Sequence, residues 1–497
     1  MNNTINKYIW FTYDGCGLSI AKKLQEEGNE VLVAQVQTAD ELGISKKEKP
    51  EDEKLRLSLF DGLLEKIPAK EMIKKMSKFD NKDEYFVVFD FNNLWKYSEM
   101  ALKLGFTQGF FPTKKDYEFE EDRDGGKDFV KQYYPDLKVA EVHEFKTIEE
   151  GIAFLEDTEK VWVLKSYSPE GSTILPTSKD AEEAAKEIIG ALKLEKKDYE
   201  KEGYILEERI LDVIEITPAI VFYNGKPIFT DIDIENKPIG SGSVGNMTGC
   251  SGNLLIKTDL SEKINKIAFP PKVYQLAKEH IGMFVWDASI LIDKRTDELY
   301  FGEFCSNRWG WDAFFTELTM CASVSDYFNS LIQGRNPLIK DFGVGVRLFN
   351  LKSHIGTPII ITDNDDSRIW VYDMKKEGEH NVSVGCAWDL LVATGADNNL
   401  NKAIKRAYKT LETVQFTNGY YRPEFDFTAT QYDNSILNRF NHTNHKYYDV
   451  SDYSSQQELV TYNMEDVVEK VISDKMSTLV SEFKEMLKEA LNEQESD

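Results

Sequence analysis

Phe284-Val-Trp-Asp-Ala-Ser-Ile-Leu-Ile292 and Leu299-Tyr-Phe-Gly-Glu-Phe304 are two β-prone runs joined by a short charged turn, the pattern of an antiparallel strand pair. Side chains alternate across a strand. Asp287 and Ser289 therefore share one face of the first run, and Glu303, Cys305 and Asn307 share one face of the second if that strand persists. Carboxylates on adjacent strands suit Mg²⁺, a hard cation that takes oxygen ligands. The plain alternative is a strand-end carboxylate hydrogen-bonded to a nearby loop.

Working back from this pair, Tyr204-Ile-Leu-Glu-Glu-Arg-Ile210 and the stretch from Ile216 to Phe229 read as strands, the latter turning at Asn224-Gly225. A Gly/Ser-rich loop is expected at 240–252. Val161-Trp-Val-Leu-Lys165 and Thr173-Ile-Leu175 suggest strands around a polar turn, and residues 113–160 and 179–193 are helix-prone. At the N-terminus, Tyr8-Ile-Trp-Phe-Thr-Tyr13, a helical stretch from Leu18 to Gly28 and a second run from Glu30 to Val36 make a βαβ opening. Beyond Asn336-Pro337 come short strands and a helix from Leu400 to Val414. Apolar residues at Val468, Ile472, Met476, Leu479, Phe483, Leu487 and Leu491 predict an amphipathic helix over 464–491.

The expected fold class is multi-domain α/β. An N-terminal open α/β domain covers residues 1–110, a second domain covers 111–337 with a lid at about 128–203, a small α+β domain covers 338–450, and 451–497 is a tail. Acidic residues outnumber basic ones 86 to 60, for a net charge of −26, which opposes binding to nucleic acid or anionic membranes. The five cysteines form no C-x-x-C pair and the six histidines no metal-ligand spacing. Neither a spanning segment nor a signal peptide is read from the sequence, so the expected location is cytoplasmic. The polar face of the tail helix mixes Glu, Asp and Lys, pointing to intramolecular docking or self-association.

Two lysines stand out. Lys127 lies in Gly125-Gly-Lys-Asp-Phe-Val-Lys131 and Lys165 ends an apolar strand beside a Gly-containing turn. Ammonium groups so placed can neutralise phosphate oxygens, although an isolated lysine is ordinarily a solvated surface charge. Gly240-Ser-Gly-Ser-Val-Gly245 satisfies the G-x-G-x-x-G string but does not link a strand directly to a helix, so a dinucleotide site is rejected in favour of a substrate-contacting loop.

In order, these pieces resemble the phosphoribosylamine-glycine ligase family of the ATP-grasp superfamily, to about residue 430. Gly125 to Lys131 is similar to the family's G-S-K-x-F-x-K, Trp162 to Lys165 to its second ATP-lysine strand, and Leu206 to Ile210 with Glu215 to its adenine hinge and ribose-side carboxylate. Glu235-Asn-Lys237, Gly245-Asn-Met-Thr-Gly249 and Glu303-Phe304 resemble D-H-K, G-P-N-T-G-G and E-F-N. Asp14-Gly-Cys-Gly-Leu-Ser-Ile-Ala21 departs from G-x-G-G-R-E-H-A, Cys305 stands where the family has its metal Asn, and Arg308-Trp-Gly-Trp-Asp312 replaces R-F-G-D-P.

The resemblance implies an ATP-dependent carboxylate-amine ligase of purine biosynthesis, working through an acyl phosphate with Mg²⁺ or Mn²⁺, on a carboxylate such as glycine and an amine such as phosphoribosylamine. It implies catalytic roles for Lys165 and Arg308, nucleotide contacts from Lys127, Lys165, Gly171, Ser172, Glu207, Glu208, Glu215, Lys237 and Asn246, and metal ligation by Asp287, Glu303 and Asn307. The altered loops leave two alternatives: a ligase for another carboxylate and amine, or a non-catalytic descendant that keeps the fold as a nucleotide-binding or structural protein.

Overall fold

The computed structural model describes residues 4–44, 48–121, 123–167, 173–241, 244–307, 310–352, 354–362 and 368–423, all within one compact unit, Met1–His442. The expected tail helix, and Gly171, Ser172 and Arg308, lie outside the described residues.

The chain opens with β1 (Lys7–Thr12), α1 (Leu18–Glu26), β2 (Glu30–Gln35), α2 (Pro50–Leu57), β3 (Lys66–Pro68), α3 (Ala69–Met76), β4 (Tyr85–Phe89), α4 (Trp95–Lys103) and β5 (Gly109–Phe110). The strands pair in parallel in the order β3-β2-β1-β4-β5. Continuous apolar runs suit strands covered on both faces, and Ile9, Phe11, Val87 and Phe89 pack with Leu94, Tyr97 and Phe106 in one core.

After α5 (Lys114–Glu121) and α6 (Arg123–Tyr133) come β6 (Val142–Phe145), α7 (Ile148–Glu156), β7 (Trp162–Ser166), α8 (Ala181–Leu194), α9 (Lys196–Glu202) and β8 (Tyr204–Glu208). The strands form a separate antiparallel sheet, β6-β8-β7, whose core joins Leu155, Trp162, Leu164, Ile188, Leu192 and Tyr204. Thr147 and Glu150 close a capping box that starts α7.

The central segment holds β9 (Val213–Tyr223), β10 (Lys226–Gly240), β11 (Val244–Thr258), α10 (Lys263–Ala268), α11 (Pro271–Glu279), β12 (Met283–Asp293), β13 (Leu299–Ser306), α12 (Trp311–Thr319) and α13 (Val324–Ile332). It is followed by β14 (Phe342–Asn350), β15 (Ile360–Ile361), β16 (Ile369–Val371), β17 (Lys375–Glu377), β18 (His380–Val382), β19 (Asp389–Asp397), α14 (Leu400–Glu412), β20 (Val414–Gln415) and β21 (Gly419–Tyr421). One sheet crosses both expected domain boundaries, because β5 pairs with β12 at Phe110 and Met283, and β11 pairs with β14 from Gly252 to Ile256.

The loop expected at 240–252 is corrected. Gly240 pairs with Val244, so the glycine-rich string is the tip of the long β10–β11 hairpin, and residues 244–258 are strand. Ser251 bridges the register slip between Asn236 and Pro238 by donating its hydroxyl to both carbonyls. No described helix is long and apolar enough to cross a membrane.

Candidate active site

A cleft of about 980 Å³ runs between these elements. At one end, α6 presents Lys127 and β7 presents Lys165 to the same carboxylate on β8. Lys127 Nζ lies 2.6 Å from Glu207 Oε2, and Lys165 Nζ lies 2.6 Å from Glu207 Oε1. Burial pushes the Glu207 carboxyl up, but the two ammonium groups outweigh it and hold it below its ordinary value. Strand alternation sends the adjacent Glu208 to the other face, where it pairs with Lys160 at 3.0 Å, and it does not line the cleft. The backbone of Asn246 lies in β11; its side chain is outside the described residues.

Further along, Lys237 on β10 reaches Glu215 Oε1 on β9 at 3.0 Å and Glu303 Oε1 on β13 at 4.0 Å. Ser289 donates its hydroxyl to the same Glu215 oxygen. Burial pulls the Lys237 ammonium down, yet the charges of Glu215, Glu235 and Glu303 raise it overall. Asp287 Oδ1 accepts the Cys305 amide N–H at 3.1 Å, and burial pushes the Asp287 carboxyl up to about 8. Behind this wall a smaller cavity of about 90 Å³ is lined by Glu215, Asp231, Asp233, Glu235, Asp287 and Glu317, among others.

Asn307 does not join this group. The β12–β13 register slips between Ala288 and Ile290, and β13 ends at Ser306. Asn307 then turns at φ +49°, is fully buried, accepts the Val285 N–H through Oδ1 and donates through Nδ2 to the Phe111 carbonyl and Asp116. Its amide is spent holding the chain turn, so the expected metal ligation by Asn307 is corrected; Cys305 is the residue that lines the cleft.

The far end of the cleft was not foreseen. It is built from Asp14 in the β1–α1 turn, Arg56 on α2, Asp312 on α12, Arg347 on β14, Asp389 on β19, and Tyr372 and Asp373 after β16, with Cys16, Cys250 and Cys386 between them. These residues are separated by up to several hundred positions, so no local spacing announces them. The one signal available was charge: acidic residues isolated in apolar stretches, such as Asp373 after Trp370 and Val371.

No protein-family model matches the sequence, and no curated protein matches it. Solved structures do match. Phosphoribosylamine-glycine ligase from Thermotoga maritima superimposes with a TM-score of 0.57 at 14% identity, over 84% of this chain and 99% of that one. Biotin carboxylase from Campylobacter jejuni, in a β,γ-ATP complex, gives 0.54 at 12% identity, over 88% and 100%. The biotin carboxylase domain of 2-oxoglutarate carboxylase from Hydrogenobacter thermophilus, bound to MgADP and bicarbonate, gives 0.53 at 13% identity, over 83% and 91%. The chain has the ATP-grasp fold.

In this fold two carboxylates, Asp287 on β12 and Glu303 on β13, could hold a divalent cation. Mg²⁺ commonly uses one or two carboxylates and completes its octahedron with waters and phosphate oxygens. Asp287 and Glu303 fit that requirement. The Glu303 side chain is 72% exposed and lies 4.0 Å from Lys237, whereas the Cys305 thiol, pushed well up by burial, offers a soft protonated sulfur. No three His, Cys, Asp or Glu groups among the described residues already converge as a ligand set.

Proposed function

We propose that this chain is an ATP-dependent carboxylate-amine ligase. The observation that carries the reading is the convergence of Lys127 and Lys165, from different elements, on Glu207 inside the cleft of an ATP-grasp fold. Each lysine is held on a carboxylate that phosphate oxygens can replace, so triphosphate binding exchanges one anionic partner for another. Their charge then stabilises the transferring phosphoryl group. Glu215 and Lys237 extend the polar wall toward the ribose side, and the proposed contacts from Gly171, Ser172, Asn246 and Arg308 complete the site.

Asp287 and Glu303 are the residues that would hold Mg²⁺ or Mn²⁺, which supplies positive charge against phosphate oxygens when bound. The γ-phosphoryl group passes to a carboxylate, an amine displaces phosphate from the resulting acyl phosphate, and ADP and phosphate are released. Water must be kept from that intermediate; the β6-β8-β7 sheet, which carries Lys165 and Glu207, is the element suited to covering it. No disulfide joins the cysteines among the described residues, which suits a reducing compartment, and we place the protein in the cytoplasm.

One observation favours the non-catalytic alternative: the family's metal Asn is replaced by Cys305, and Asn307 is committed elsewhere. ADP release assayed with glycine plus phosphoribosylamine, and then with a panel of carboxylates and amines, separates the readings. Stimulated release by any pair supports the ligase. Nucleotide-dependent stabilisation with no release for any pair overturns it in favour of the non-catalytic protein.

A further inference from the structure

β13 does not run evenly along β12. Ala288 pairs with Phe304 and Ile290 with Phe301, so Gly302 and Glu303 together face the single residue Ser289. Two residues against one make a β-bulge, which bends its strand and re-aims the side chain it carries. Glu303 leaves the sheet from this bulge. A Cβ on Gly302 would fall 2.6 Å from Ser289 Oγ, so the bulge lies tight against β12 and takes a glycine there.

The two halves of β13 are held differently. Before the bulge, Lys138 covers the outer edge: its N–H donates to the Leu299 carbonyl and its carbonyl accepts the Phe301 N–H. After the bulge, residues 304–306 pair with β12 alone among the described strands. Asn307 closes this half. Its N–H donates to the Val285 carbonyl at 2.7 Å, and its side-chain Oδ1 accepts the Val285 N–H at 3.3 Å. The amide oxygen thus takes the place that a backbone carbonyl holds in an antiparallel pair, while the φ of +49° turns the backbone itself away. Asn adopts that conformation more readily than most residues. Its Nδ2 then ties the side chain to the Phe111 carbonyl and Asp116.

This half-strand carries the candidate cation pair. Glu303 stands at its start, and the Cys305 N–H donates to Asp287 Oδ1 at 3.1 Å. A slip of residues 304–306 along β12 would move both carboxylates at once. Resting on the reading of Asp287 and Glu303 as the carboxylates that hold Mg²⁺ or Mn²⁺, we propose that Asn307 is a positioning residue: it locks the register after the bulge and so sets how the two carboxylates face each other. Asn307 acts through the strand, not by ligation. Losing a group that orients a metal ligand typically costs about 10- to 100-fold in metal affinity.

The test is Mn²⁺ titration of the full chain with ADP present, read by electron paramagnetic resonance, which needs no turnover. Asn307→Gly keeps the left-handed turn open to the backbone and removes the amide; it should weaken Mn²⁺ binding about tenfold or more. Glu303→Gln should weaken binding in the wild-type background but add little to Asn307→Gly, whereas a purely structural role predicts losses that add. Ser306→Ala, which removes only the hydroxyl on Asp116, should leave Mn²⁺ affinity near wild type. Should Asn307→Gly not fold, Gly302→Ala shifts the same bulge from its other end and should show the same non-additive loss with Glu303→Gln. Unchanged affinity in the folded variant, losses that add, or an equal loss in Ser306→Ala would overturn the proposal and leave the cation reading standing. Wild-type affinity unaffected by Glu303→Gln would instead sink the cation reading, and the proposal with it.

Discussion

Lys165 Nζ and Glu207 Oε1 face each other at 2.6 Å across adjacent strands, while the second Glu207 oxygen is held by Lys127. The carboxylate thus keeps two ammonium groups in one place before any nucleotide arrives. Lys165→Ala leaves Lys127 to neutralise Glu207, so the ligand-free melting temperature should fall little. Wild type at a nucleotide concentration a hundred times Kd should gain about 2.7 kcal/mol. Thermal melts with and without MgATP check this; a full shift retained in Lys165→Ala would show that the lysine does not hold phosphate.

Glu303 is mostly exposed, so Glu303→Gln should leave stability nearly unchanged. Under the proposed ligase reading turnover should drop about a hundredfold or more, since the substitution neutralises a carboxylate assigned there to the cation beside the transferring phosphoryl group. Steady-state ADP release across a Mg²⁺ titration reads the effect. Cys305→Asn in the same assay should lower the Mg²⁺ concentration needed for half-maximal rate, because an amide oxygen replaces a thiol facing the cleft.

Glu317 on α12 is buried with Asp231, and burial pushes its carboxyl up to about 8. An acid whose folded pKa exceeds its unfolded one binds its proton more tightly when folded. Its stabilising contribution is complete below pH 4.5 and is lost as pH rises toward 8, with a slope of up to about 1.4 kcal/mol per pH unit for each such group. Glu317→Gln should therefore be more stable than wild type at pH 8 and close to it at pH 5. Urea unfolding at the two pH values measures the difference.

Asp116 and His280 form a buried pair at 2.9 Å that ties α5 to the end of α11, with Ser306 donating to the same carboxylate. Burial lowers the His280 pKa, but Asp116 outweighs it and the net direction is up; Asp116 itself is held below its ordinary value. The histidine's contribution is complete below pH 6.5 and is lost as pH rises through its higher folded pKa. The aspartate's contribution is complete above pH 3.8 and is lost below it. Asp116→Asn should cost about 3 to 5 kcal/mol, most of all between those limits, as chemical denaturation across the range would show.

The lysine end of the cleft was legible because both lysines sit on regular elements whose faces the apolar pattern fixes, as in Trp162-Val-Leu-Lys165. The distinction between Glu207 and Glu208 was not drawn, because the resemblance treated them together although they face opposite sides of β8. Asn307 was misplaced because its assignment extended the β13 alternation past the residue where the chain turns, and a positive φ at Asn leaves no periodic trace. The strand at 244–252 was hidden by small residues with weak β preference, held by the β10 partner and the Ser251 hydroxyl. The acidic wall needed tertiary contact alone, since Asp14, Asp312 and Asp373 belong to elements far apart in the chain.

That separation governs the order of assembly. The Val371 N–H donates to the Ser19 hydroxyl, the Phe60 N–H to the Met374 carbonyl, and Arg422 Nη1 to the carbonyls of Pro238 and Gly240. At about 5 to 20 residues per second of synthesis, the parallel sheet near the N-terminus emerges many seconds before the strands that wall its far side. Until then the nascent protein has its two lysines and their glutamate but lacks the wall formed by Tyr372, Asp373 and Asp389. Ribosome-bound chains stalled before Trp370 would present an open trough, which closes only through contacts of long sequence separation, the kind that slow folding.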